Sequence, residues 1–303
     1  MARSLSTLAR FGFPALGALA VAGILAVLVV IIGDIVVHGW RTVTIAFLTR
    51  APENGMMGGG IFPAIFGTIA LVFLMTLAVM PLGVGCAVYL SEYAPRDSLW
   101  VTVVRHALEN LAGVPAIVFG LFGLGFFVQF IGHGIDHVFL HGQILFGQPA
   151  ILWAALTLAI LTLPTVVVTT EEALRAVPQS YREVARSLGA TPWQVVRQVV
   201  LPNATSGILT GTILAISRGG GEVAPIMFTG AAYFLPYLPT RITDQFMVLG
   251  YHVYVMATQS PDVEATKPIL YGTVLVLLLL TFALNLAAIL VRARVRRRLR
   301  GAR

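Results

Sequence analysis

Six apolar runs dominate this chain, at about 11–33, 61–90, 108–131, 149–170, 204–226 and 268–291. Each approaches or exceeds the roughly 20 predominantly apolar residues that an α-helix needs to cross a bilayer. One such run would fit the core of a soluble protein. Six of them in 303 residues, with 57% of residues hydrophobic, 11% charged and a mean hydropathy of +0.88, do not. The sequence therefore predicts an all-α polytopic membrane protein with six transmembrane helices. The first run follows Arg3 and Arg10, as a signal peptide would. Its apolar stretch is longer than the roughly 7–15 residues of a signal-peptide core, which predicts a retained first helix, peripheral to the rest.

A net charge of +7 would raise the question of nucleic acid in a soluble protein, but here the placement of the charge points to a membrane. Arg292, Arg294, Arg296, Arg297, Arg298, Arg300 and Arg303 follow the last run and form a stop-transfer tail suited to anionic headgroups. Membrane lipid is thus an expected partner and nucleic acid is not. With the N-terminus inside, the cytoplasmic segments hold Arg3, Arg10, Arg96, Arg105, Arg175, Arg182, Arg186, Arg197 and the tail. The other side holds only Arg41, Arg50, Arg241 and Lys267. This asymmetry predicts that both termini are cytoplasmic. Cys86 is the single cysteine and lies in an apolar run, so no internal disulfide is possible.

Between the fourth and fifth runs, on the predicted cytoplasmic side, stands PQSYREVARSLGATPWQVVRQVVLP (178–202). Ser180 and Glu183 have capping-box spacing, although Pro178 could equally occupy the first helical turn. Tyr181, Val184, Ala185 and Leu188 fall on one helical face, and Gly189 closes the helix. Thr191 with Gln194 forms a second capping box with Pro192 at the first helical position. Trp193, Val196 and Val200 follow, and Pro202 is expected to stop the pattern. Two short helices would then present an apolar ridge flanked by Arg182, Arg186 and Arg197. Such a hairpin either rests on lipid or inserts into a groove on a cytoplasmic partner.

The fifth run carries ISRGGGEVAPIMFTG (216–230), with Arg218 and Glu222 at membrane depth around Gly219, Gly220 and Gly221. A charge at mid-bilayer costs about 2.5–3.5 kcal/mol on insertion scales. A salt bridge between residues four apart would lower that cost. Three glycines argue against a plain helix, since each costs up to about 1 kcal/mol relative to Ala. A broken helix would instead leave backbone N–H groups beside a cation, an arrangement suited to an oxyanion.

These stretches carry a family resemblance. Glu183, Ala185, Gly189, Leu201 and Pro202 are similar to the coupling motif of ABC importer permeases, with Val184 where that motif usually has Ala. Together with PLGVGCAVYLSEYAP (81–95), VPAIVFGLFGLG (114–125) and TTEEALRAVPQSYREVARSLGATPW (169–193), the chain resembles the phosphate ABC transporter permeases of the PstA type over roughly 61–290. The resemblance implies a type I importer permease fold in a bacterial cytoplasmic (inner) membrane, with the coupling helix between spans four and five. It assigns ATPase coupling to Glu183, Ala185, Gly189, Leu201 and Pro202. It places Arg218 and Glu222, with their glycines, on the substrate pathway. It implies as partners a homologous permease subunit, an ATP-binding subunit dimer and an extracytoplasmic phosphate-binding protein, and no cofactor. Val168 stands where the family often has a basic residue. The expected organisation is 1–60 for the N-terminal segment, first helix and outer loop, 61–291 for the importer domain with its coupling loop at 171–203, and 292–303 for the tail.

Other features weigh less. His133, His137 and His141 have helical spacing for zinc, but Gly132, Gly134 and Gly142 weaken a helix there, and no metal is expected. His106 and Glu109, beside Asn110, could be a proton relay or an interfacial cluster. Gly58, Gly59 and Gly60 read as a flexible lead into the second span. No Gly-Lys-Ser/Thr follows them, and Lys267 is the only lysine, so ATP hydrolysis belongs to another chain. The stretch 245–259 is too short to span and is expected either to lie on the outer interface or to dip back as a gate. Within the transport class the alternatives are sulfate, molybdate or phosphonate as cargo. Outside it stands an ion-coupled secondary transporter.

Overall fold

The computed structural model describes residues 2–301 except 54, 56, 57, 96, 97 and 261, and only the backbone of 2–13 and 298–301. Arg96 and Arg303 lie outside the described residues, as do the side chains of Arg3, Arg10, Arg298 and Arg300. Helix α1 (Ala2–Gly39) is followed by α2 (Ile45–Thr49), a small antiparallel pair β1 (Pro52–Glu53) and β2 (Gly58–Gly59), and α3 (Phe62–Val88). Then come α4 (Leu99–Ala112), α5 (Ala116–Phe122), α6 (His133–Phe139), α7 (Ile151–Arg175) and α8 (Gln179–Ser187). The chain ends with α9 (Pro192–Gln194), α10 (Leu201–Gly219), α11 (Ile226–Thr229), α12 (Leu249–Gln259) and α13 (Val263–Gly301). Wider π turns at Tyr89–Tyr93, Gly123–Gly132 and Val195–Val200 extend α3, join α5 to α6, and join α9 to α10. Among the described residues six helical stretches are long and apolar enough to cross a membrane: Pro14–Gly39, Phe62–Tyr93, Ala116–Phe139, Ile151–Arg175, Pro192–Gly219 and Val263–Arg297.

Helix α7 is the centre of the bundle, because it buries apolar side chains on both of its flanks. Leu158 and Val166 meet Leu71, Met75 and Val79 of α3 and Ala215 of α10 in one core cluster. Gly207 and Gly211 of α10 lie directly against Ala173 and Thr169, where a Cβ would collide, so small residues set this close helix approach. Thr157, Thr162 and Thr169 would cost free energy in an apolar interior, but each hydroxyl donates to the carbonyl four residues back at 2.7, 2.8 and 2.7 Å. Helix α1 stands apart, as its sequence predicted. Its described side chains are mostly exposed, and it leans on α13, where the Tyr271 hydroxyl donates to Asp34 at 3.0 Å.

Two span boundaries differ from the sequence reading. The third span begins at Ala116 rather than near 108, because the extended Pro115 and the turn at Gly113 separate α4 from α5. The fifth span begins at Pro192 and ends at Gly219, whereas its apolar run covers 204–226. Pro202 does not stop this helix. The preceding turn widens so that the Leu201 N–H reaches the Val196 carbonyl, which gives the proline ring room without ending the rod.

The loop after α10 caps the central helix. The first free N–H groups of α7, those of Ala150, Ile151 and Leu152, donate to the carbonyls of Thr229, Asp244 and Ile242 at 2.9, 2.9 and 3.1 Å. Asp244 holds that loop in shape by accepting from the Arg241 and Thr240 N–H groups at 2.9 and 2.8 Å. These bonds, the one from Arg241 first, hold its carboxyl below the usual carboxylate range. Gly58–Gly60 is ordered rather than flexible: Gly58 and Gly59 pair with Glu53 and Pro52, and the Gly60 N–H donates to Ala51 at 2.9 Å. The stretch 245–259 packs into the bundle. Phe246, Met247, Val248, Leu249, Val255 and Met256 are buried, and α12 packs on α3 and α13.

Candidate functional site

Two assemblies of sequence-selected residues stand in different parts of the bundle. The first is the hairpin of α8 and α9. Helix α8 begins after Pro178, which is its N-cap, and no side chain caps it, so the Ser180–Glu183 box is not made. An N-cap proline supplies a fixed φ and loses no hydrogen bond there, which moves the helix start two residues upstream of Ser180. Thr191 and Gln194 do form the reciprocal capping box, with bonds of 3.3 and 2.8 Å. Between the two helices Gly189 adopts φ +85°, and its N–H donates to Arg186 at 2.9 Å while the Ala190 N–H donates to Ala185 at 3.1 Å. This is a Schellman end, and its left-handed residue is the reason for glycine.

The apolar face of the hairpin divides. Tyr181, Val184, Leu188 and Trp193 point outward and are exposed, whereas Ala185 is half-buried and Val196 and Val200 are buried in the bundle. Val184, where the coupling motif usually has Ala, crowds nothing in this chain because it faces out. Glu183 is exposed beside that ridge, and Leu201 and Pro202 begin α10 half-buried.

Arg182 does not flank the ridge. It is 7% exposed and turns inward, where its Nε and Nη2 donate to the two carboxylate oxygens of Glu92 at 3.1 and 2.7 Å. Its other donors reach the carbonyls of Val177 and Leu174 at 2.7 and 2.9 Å. The hairpin is thereby bolted to the end of α3 and the end of α7. Sequence reasoning missed this pair because Glu92 lies 90 positions away; an acidic residue just past the end of the second run was the one signal. Breaking the pair leaves an uncompensated buried charge, which costs about 3–5 kcal/mol. Glu92→Leu is therefore expected to loosen α8, read as faster proteolysis at 178–190, while Glu183→Leu on the exposed face is not.

The second assembly lies where α10 ends. Gly219 closes the helix, and Gly220 and Gly221 make its last turn-type bonds, to Ile216 and Arg218 at 3.0 and 3.2 Å. The break expected at the three glycines is present. Gly219 is required by space, since a Cβ there would run into Met75 of α3, while a Cβ at Gly221 would come no closer than 4.0 Å to any neighbour, the Arg218 carbonyl. Arg218 Nε and Glu222 Oε1 are 3.4 Å apart, with the arginine side chain 39% exposed and the glutamate 23%. The end of a helix exposes carbonyls rather than N–H groups, so the oxyanion donors expected there are not those of α10. They come from the next segment: among the described residues the N–H groups of Glu222, Val223 and Ala224 make no hydrogen bond. A cation, a carboxylate and three successive unpaired N–H groups thus adjoin one another. Val168 is exposed on α7.

The remaining candidates separate. His133 and His137 do sit on a helix despite their glycines, and His141 follows at φ 52° outside it. His133 lies over Gly147, and among the described residues no three ligating side chains converge on a metal position. His106 and Glu109 are 3.2 Å apart and both exposed on α4.

Residues 80–301 match the family described as the binding-protein-dependent transport system inner membrane component. The chain belongs to that family. The permease is 33% identical over 279 residues to the probable ABC transporter permease YqgI of Bacillus subtilis, covering 88% of each chain. It is 33% identical over 243 residues to the phosphate transport system permease PstA of Yersinia pestis, covering 80% of this chain and 75% of that one. Among solved structures, a chain of a bacterial ABC transporter involved in alginate import superimposes with a TM-score of 0.66 at 16% identity, over 96% of the permease and 99% of that chain. A chain of the inward-facing MetNI methionine ABC transporter gives 0.57 at 18%, over 77% and 94%. At these identities the likeness concerns the fold, which is that of type I ABC importer permeases.

Proposed function

We propose that this permease forms half of the translocation pathway of an ATP-driven importer for inorganic phosphate. Phosphate near neutral pH is mostly a dianion that keeps one proton, so its passage needs a cation, neutral donors and a proton acceptor. Arg218, the N–H groups of 222–224 and Glu222 supply these at one place, and that juxtaposition carries the reading. The PstA relatives, named for phosphate transport, support the cargo. The exposed ridge of Tyr181, Val184, Leu188 and Trp193 meets an ATP-binding subunit, because a rigid apolar face on a bolted hairpin suits a groove in a partner better than free solvent. Glu183, Ala185, Gly189, Leu201 and Pro202 shape and seat that hairpin. An ATP-binding subunit dimer offers two such grooves, so a homologous permease contributes the second hairpin, and a phosphate-binding protein delivers the ion on the opposite side. The arginine-rich end of the bundle and both termini are cytoplasmic.

Copurification with the products of neighbouring genes, followed by ATPase assay in liposomes, tests this. Phosphate with its binding protein is expected to stimulate hydrolysis, and sulfate is not. Stimulation by sulfate or molybdate alone would overturn the cargo, and a complex without a P-loop ATPase would overturn the importer.

A further inference from the structure

Behind the coupling hairpin, on the side away from its exposed ridge, lies a cavity of about 790 Å³. Arg105, Arg175, Arg182, Arg186, Glu92 and Gln179 line it. The charges do not balance. Glu92 is consumed by Arg182, both of whose guanidinium edges are also held by backbone carbonyls. Glu171, just below, offers a single oxygen to two cations, Arg105 Nη2 at 2.5 Å and Arg175 Nη2 at 2.8 Å. The Arg186 guanidinium makes no ion pair or hydrogen bond among the described residues. Four arginines against two carboxylates leave a surplus of two positive charges around a space large enough for a small anion.

We infer that this cavity is a binding site for a phosphate-group oxyanion, held between Arg175 at the end of α7 and Arg186 in the last turn of α8. Two guanidinium forks at one cavity match the tetrahedral arrangement of phosphate oxygens, and two surplus cations match its dianion. Such an anion would tie α8 to α7, so it clamps the coupling hairpin in its present position. The site is distinct from the Arg218 assembly and does not depend on which ion is transported. Two sources supply the chemistry at the cytoplasmic face: orthophosphate in solution, and the headgroup of an anionic phospholipid reaching the pocket from the inner leaflet.

Hydrogen exchange across 171–190 in the assembled permease–ATPase complex tests the clamp. One arm uses phosphatidylcholine nanodiscs with orthophosphate or with sodium chloride at equal ionic strength. The other replaces part of the phosphatidylcholine by phosphatidylglycerol and omits orthophosphate. Slower exchange in the first arm assigns the site to the free ion, and in the second to the lipid. At a ligand level about ten times its Kd, local opening is expected to slow about tenfold. Arg186→Gln, at an exposed position, is expected to abolish that protection, whereas Arg218→Gln retains it. No protection in either arm, equal protection by chloride, or protection that survives Arg186→Gln would overturn the site, and none of these results bears on phosphate as the cargo.

Discussion

Replacing Arg218 by Gln is expected to abolish phosphate uptake by the reconstituted complex while the permease still inserts and assembles. The two halves of that expectation have different physical origins. The Arg218–Glu222 pair is long, at 3.4 Å, and its arginine is well exposed, so its loss removes an interaction worth about 0–1 kcal/mol and leaves the fold in place. Transport is another matter, because an oxyanion stripped of water next to Met75 and the end of α10 would lose the one fixed cation of that assembly. Arg218→Lys keeps a positive charge but gives up the planar fork, and a fraction of the rate should remain. Glu222→Gln should slow phosphate by removing the acceptor for its proton. Uptake is measured with labelled phosphate in liposomes that hold equal amounts of assembled complex. Near-normal flux through Arg218→Gln would leave the pair as a structural contact at a helix end.

The sequence carried the features set by local composition and period, and lost those set by packing between distant segments. Six apolar runs gave six spans because a bilayer demands length and apolarity and little else. Gly189 and the Thr191–Gln194 box were legible because turn chemistry acts within a few residues. The same locality misled at Pro202, since a proline ends a helix only where the preceding turn cannot widen, and here it widens. The sequence places Arg182 on the flank of the apolar ridge. Its burial depends on Glu92, and helical spacing alone cannot show which flank of a short amphipathic helix will meet a carboxylate from another span. At the candidate pathway, Arg218 and Glu222 were recognisable as charges in an apolar run. The sequence places free N–H groups beside them without saying on which side of the break, because only the backbone trace shows that α10 presents its carboxyl end there.

Gly189→Val is expected to leave the permease folded and to separate ATP hydrolysis from uptake. A Cβ at this position would touch nothing, so the substitution creates no clash. The penalty lies in the backbone: φ of +85° is a region that a β-branched residue adopts only as an outlier, at a cost of about 1–3 kcal/mol. That strain is released most easily by opening the Schellman bonds from Gly189 to Arg186 and from Ala190 to Ala185, since the Glu92–Arg182 pair holds the start of α8 and α10 anchors α9. The turn would then reorient Leu188 and Trp193 relative to Tyr181 and Val184, and a ridge made from both arms would lose its shape. Gly189→Asn serves as the control, because asparagine tolerates the left-handed conformation. The expected order of phosphate transported per ATP hydrolysed is wild type, then Asn close behind, then Val far below. If Gly189→Val transports at the wild-type ratio with the ATP-binding subunits bound, the ridge does not engage them, and the hairpin is a lipid-surface feature.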